Sequence, residues 1–221
     1  MSFSILDILI FLLLAARWTL ALSAIAFVGG GIGALLLLSL RYTYPRAGSK
    51  LTVVYSNIFQ GTPLLLQLFT VYFGLPLLGI EVSAWAAAGL ALSLFASAYL
   101  ADIWRGCIDV IPIGQWDAGR SFGMSLPLLM QRIILPLAIP AATPPTVGFL
   151  VQLVKSTALT SIIGFDELLR ASQIVTNATF QPLQVYGLAA VIYFAICFPL
   201  TFGSRYLERR LARAQRTLAR P

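Results

Sequence analysis

An all-α membrane protein with about five transmembrane helices is what this sequence predicts, and three observations predict it. Hydrophobic residues make up 59% of the 221 and charged residues only 10%, against roughly a quarter charged in ordinary soluble domains. The apolar residues gather into runs close to the ~20 that cross ~30 Å of hydrocarbon. Of the 15 basic residues, all but three collect at one side of those runs, the bias that marks cytoplasmic loops.

Five spans fit: Trp18–Leu40, Leu51–Leu75, Ser83–Trp104, Pro136–Val154 and Gln184–Gly203. With the N-terminus outside, every Lys and Arg falls on the inner side except Arg17, Lys155 and Arg170. The apolar start, Phe3 to Ala16, holds Asp7 and is followed by Arg17. A signal peptide places its positive charge before the apolar run, and this stretch is short for a span. Residues 1–17 are therefore expected as an interfacial helix on the outer face, ahead of a membrane domain, 18–204. In the first span Gly29 and Gly33 form a GxxxG pair suited to close helix packing. Pro136, Pro140, Pro144 and Pro145 remove backbone donors and predict a broken or kinked fourth span, with Thr143 and Thr146 available to re-satisfy freed carbonyls. The basic tail, residues 205–221, is expected at the inner surface against anionic lipid.

Several functions are excluded. With no His, there is no His-based triad or metal site; Cys107 and Cys197 match no CxxC pattern. No GxxxxGK[ST] occurs, so the chain has no phosphate-binding loop of its own and is not read as an enzyme. The pI near 9.9 reflects membrane topology rather than nucleic-acid binding.

Between the third and fourth spans lies a basic loop, residues 105–135, that something in the aqueous phase must read. Ile113 to Phe122 can form a short helix, Gly123 suits the left-handed position that ends it, and Ser125 can cap the next with Pro127 in its first turn. The series Asp117-Ala118-Gly119, then Gly123, then Ile133 and Leu135-Pro136 resembles the cytoplasmic "EAA" loop of ABC-importer permeases. Gly61-Thr62-Pro63 through Pro76, Ala98-Tyr99-Leu100-Ala101-Asp102-Ile103-Trp104-Arg105-Gly106, and Lys155-x-Thr157-x-Leu159 with Ile162-Ile163-Gly164 resemble further segments of permeases for polar amino acids. Together the matches cover Tyr55 to Arg210.

The resemblance implies a type I ABC-importer permease fold in a bacterial cytoplasmic membrane. It also implies ABC ATPase subunits docked on the loop through Asp117, Ala118, Gly119, Gly123, Ile133, Leu135 and Pro136. ATP and Mg would be bound by the ATPase, a second permease chain (same or different) would pair with this one, and a solute-binding protein would deliver the cargo. No cofactor is expected in this chain, and no nucleic-acid partner. Departures from the family pattern are Asn57 and Gln60 where an acid and an Arg usually stand, and Phe95-Ala96-Ser97 in place of an Asn-Ser-Gly-like trio.

Polar groups inside spans nominate a solute path. Tyr99, Asp102, Gln152 and Lys155 are the candidates, between the third and fourth spans. Asp102 can instead pair with Arg105 three residues on, Lys155 can serve as an outer anchor, and Gln67 and Gln152 can bond neighbouring helices. Two other classes remain open: a self-sufficient secondary carrier, for which internal repeats and more intramembrane acids are expected, and a non-transporting membrane assembly subunit.

Overall fold

The computed structural model describes residues 4–218, all helices and short connections. Phe3 and Arg220 lie outside the described residues, as do the side chains of Arg210, Arg213 and Arg216. The helices are α1 Ile5–Thr43, α2 Pro45–Gly61, α3 Leu64–Leu77, α4 Ala84–Asp109, α5 Ile113–Ser121, α6 Leu126–Ile163, α7 Leu168–Thr179 and α8 Pro182–Leu218. Four of them, α1, α4, α6 and α8, are long and apolar enough to cross a membrane, and the bent pair α2–α3 makes a fifth span if counted as one.

The expected separate helix at residues 1–17 is corrected. Ser4 and Asp7 cap α1 reciprocally, Ser4 Oγ accepting from the Leu6 N–H at 3.3 Å and Asp7 Oδ2 from the Ser4 N–H at 3.2 Å. No Gly or Pro stands between that cap and Val28, and Arg17 is itself a good helix former, so the helix has no reason to stop. At 39 residues it is about 58 Å long, nearly twice the ~30 Å of hydrocarbon. Its first turns bury Ile8, Leu12 and Ala16 against Leu168 and Ala171 of α7 and Val185 and Ala189 of α8.

The glycines of α1 are spent on helix packing. A Cβ on Gly30 would run into Ala96, one on Gly29 into Ser93, and one on Gly33 would stand 2.7 Å from the Ser97 Cβ. Small residues on both sides let the backbones of α1 and α4 approach closely. Ala96 and Ser97 are buried in this seam, with α1 lying on them. Tyr55 of α2 joins the seam, its hydroxyl 2.6 Å from Ser97 Oγ.

The broken span is the second, not the fourth. Residues 51–75, expected as one span, divide into α2 and α3 bent by 99° at Gly61–Pro63. Pro63 has no N–H and forces Thr62 into extended backbone (φ −116°, ψ 143°). The carbonyl it orphans, four residues back, is that of Phe59. Gln67 Nε2 reaches back and donates to it at 2.7 Å, and to Thr62 Oγ1 at 2.9 Å. Gln67 is thus the cap that makes the bend tolerable.

In α6 the residues Leu135–Ser156 remain α-helical through Pro140, Pro144 and Pro145. The carbonyls those prolines orphan belong to Pro136, Pro140 and Ala141. Thr143 and Thr146 do not serve them, donating instead to the carbonyls of Ile139 at 2.8 Å and Ala142 at 2.7 Å. Relief for Pro136 comes earlier. A π-helical turn, Met130–Ile134, ends two residues before it, as another, Thr70–Gly74, ends two residues before Pro76. A proline ring crowds the preceding turn, and the wider π turn gives it room.

Candidate docking loop and solute path

The loop after α4 is a helix–turn–helix, as the sequence predicts. Helix α5 ends in a Schellman motif: Met124 N–H donates to the Gly119 carbonyl at 3.2 Å, and Gly123 N–H to the Arg120 carbonyl at 2.9 Å. Gly123 sits at φ +69° with open space around it, so its requirement is conformational rather than steric. Gly119 carries the steric requirement. It is buried, and an added Cβ would meet Leu129 Cδ1 and lie 3.3 Å from Ile133 Cδ1. Ser125 stands at the N-cap of the next turn with Pro127 following, but its hydroxyl makes no capping bond.

One side of this loop is anchored and the other is bare. Ile108, Ile111, Leu129, Ile134 and Ala138 form a buried cluster under it, joined by Trp116, whose ring stacks on Tyr42 at 6.4 Å. Phe122 at the tip is 83% exposed and Ile113 70%. Asp117 and Ala118 are exposed, Ile133 and Leu135 half-buried, and Pro136 exposed. Arg120 and Asp117 pair at 3.7 Å in solvent, a contact of at most ~1 kcal/mol.

The four path candidates are not brought together. Tyr99 stacks on Phe149 at 5.4 Å and lies 4.6 Å from the Phe95 ring, so three aromatic rings fill the space between α4 and α6. Phe95 is 6% exposed. Asp102 pairs with Arg105 at 3.4 Å and accepts a 2.7 Å hydrogen bond from Gln60 Nε2. Gln152 and Lys155 lie exposed on another face of α6, in line with Gly148 and Pro145; that spacing of three, four and three residues makes one stripe. Beside the stripe, α6 and α8 leave two grooves. One of about 360 Å³ sets Lys155, Thr201 and Arg205 among the aromatics Phe194, Phe198 and Phe202, and one of about 510 Å³ is lined by Pro144, Pro145, Gly148, Ser204 and Glu208.

Sequence reasoning missed Glu167. It is 0% exposed, the one fully buried acid among the described residues. Its carboxylate caps α7, accepting from the Arg170 N–H at 2.9 Å, and also accepts from the Tyr193 hydroxyl at 2.8 Å and the Thr19 hydroxyl at 3.3 Å. Burial pushes this carboxyl above its ordinary range, against the pull of its hydrogen-bond donors. The available signal was an acid followed by a helical run just after Gly164, a position that marks an N-terminal cap.

The sequence pattern of the family described as "Binding-protein-dependent transport system inner membrane component" matches residues 29–213. The chain belongs to that family. The permease is 36% identical over 197 residues to the L-cystine transport system permease protein TcyB of Bacillus subtilis, covering 89% of this chain and 84% of that one. It is 39% identical to the probable amino-acid ABC transporter permease protein YckA of the same organism, covering 72% and 70%. It is 34% identical to the arginine ABC transporter permease protein ArtQ of Haemophilus influenzae, covering 95% and 97%. Its fold superposes on the crystal structure of an amino acid ABC transporter with histidines at a TM-score of 0.85, with 29% identity over 95% of this chain and all of that one. The MetNI methionine ABC transporter in an inward-facing conformation shares the fold, at a TM-score of 0.74 and 22% identity, covering 90% of this chain and 95% of that one.

One departure of the permease from the family pattern now has a structural reading. Asn57 is exposed, and Gln60 turns to α4, bonding Asp102 and the Ala98 carbonyl at 3.2 Å. A neutral amide thus braces α2 to α4.

Proposed function

We propose that this permease is the membrane-spanning subunit of an ATP-driven importer for a polar amino acid or related small solute. In this reading it couples to ABC ATPase subunits through residues 105–135, pairs with a second permease chain, and receives its cargo from a solute-binding protein. The observation that carries the reading is the helix–turn–helix loop. Its inner side is locked by Gly119, Leu129 and Ile134, while Phe122 at its tip and Ile113 at the start of α5 stay exposed. An apolar knob on a rigid mount is the shape a partner's groove would take. The chain has no phosphate loop, so ATP and Mg belong to the ATPase.

The solute path in this proposal follows the Pro145–Gly148–Gln152–Lys155 stripe of α6. Small and polar residues exposed on a span are poorly solvated by lipid and favour a protein or aqueous neighbour. The grooves between the stripe and α8 supply Thr201, Ser204 and Glu208. Lys155 has no ion-pair partner within this chain among the described residues, which leaves its ammonium free for a solute carboxylate. Asp102, held by Gln60 and Arg105, is a brace in this reading. Tyr99, stacked between Phe95 and Phe149 in the α4–α6 seam, lies off this path.

The orientation follows from the distribution of basic residues, which puts the N-terminus outside and the docking loop and tail inside. Cysteines introduced at Ser121 and Thr179, in a background lacking Cys107 and Cys197, should react with an impermeant reagent from the inside and outside respectively. Labelling of the Ser121 position in intact cells would overturn both the topology and the docking role.

A further inference from the structure

We infer that Glu167 is the positioning residue of the outer gate, tying α7 to the outer parts of α1 and α8 so that the three move as one body. The gate role rests on the importer function, solute path and orientation proposed above, whereas the clamp of α7 does not. Three elements distant in sequence meet at one carboxylate: Thr19 from α1, Tyr193 from α8, and the first turn of α7. Thr19 is shared, because its hydroxyl also accepts from the Leu168 N–H at 3.1 Å. The same three helices close an apolar cluster around Ile8, Leu12, Leu168, Val185 and Ile192, separate from the larger cluster that joins α1, α4 and α6.

An acid is an expensive way to fill a buried site, so its presence calls for a reason. Here no cation lies within ion-pair distance of Glu167 among the described residues; hydroxyl and backbone donors hold it, together with the positive end of α7. Donors of that kind are directional, and they fix the entry angle of α7 more tightly than apolar packing does. The short 3₁₀ segment Thr157–Ile163 and the left-handed Gly164 lead straight into this clamp from the end of the Lys155 stripe. A helix held at that point controls access to the stripe without touching solute.

The test uses the permease assembled with its ATPase in lipid nanodiscs, with the cognate binding protein carrying the amino acid it retains on purification. Glu167→Ala should speed amide exchange across Leu168–Thr179 by about tenfold or more, the loss of charge-assisted hydrogen bonds. It should also raise the binding-protein concentration that half-saturates ATPase stimulation, while the maximal rate stays within about twofold. Glu167→Gln, which keeps an oxygen for the Arg170 N–H, should restore most of both. If Glu167→Ala fails to assemble, Tyr193→Phe and Thr19→Val decide the matter, each removing one donor and each expected to give a smaller change of the same kind. Unchanged α7 exchange in these variants overturns the inference, and so does a fall in maximal rate with half-saturation unmoved. Labelling of the Thr179 position from the inside would instead overturn the orientation and leave the clamp itself standing.

Discussion

Gly123→Val should cut ATP-driven uptake about tenfold or more while the permease still inserts and folds. The left-handed conformation costs an ordinary residue about 1–2 kcal/mol, a β-branched one resists it further, and 1.4 kcal/mol is a tenfold change. Valine therefore opens the Schellman turn and swings Phe122 and α5 away from the position that Gly119 and Leu129 define. The space around Gly123 is empty, so the effect is conformational and not a clash. Asparagine, which visits this region readily, should retain most activity. Arg120→Gln should have little effect, since it removes only a solvent-exposed pair. Uptake and ATPase co-purification are the measurements; full uptake with a normal complex in Gly123→Val would sink the docking role.

Lys155→Ala should raise the half-saturating substrate concentration about tenfold to a hundredfold, the range expected for losing one charge-assisted contact. Asp102→Asn should leave uptake within about twofold. Asparagine still offers an oxygen to Gln60, and the pair it gives up with Arg105 is part-exposed. The contrast is informative because the sequence presents both residues as equal candidates, and only their partners separate them. Complex assembly and ATPase activity should be normal in both. A large loss in Asp102→Asn with Lys155→Ala unaffected would move the path back to the α4–α6 seam.

What was legible in the sequence was whatever depends on local chemistry. The docking turn was readable because Gly123, Ser125 and Pro127 each have one preferred backbone role, and the GxxxG packing because only small residues permit it. What depends on a partner distant in sequence was not readable. Four prolines in one span suggested a break, yet α6 stays helical behind a π turn, while the single Pro63 bends the second span because Thr62 must be extended and Gln67 can cap the exposed carbonyl. Residues 1–17 were set apart by a charge at Arg17, which a continuous helix carries without difficulty. Glu167 went unnoticed because its donors come from α1 and α8, more than twenty residues away on either side. The path candidates were grouped by polarity alone, and helix faces divided them.

The most direct test of the account is ATP-dependent uptake into vesicles that hold the permease with and without its co-purifying ABC ATPase, supplied with loaded binding protein. Uptake is expected only when the ATPase, ATP and Mg are all present inside, with no response to an imposed proton or sodium gradient. Uptake driven by such a gradient in vesicles without the ATPase would contradict it and mark the chain as a self-sufficient carrier.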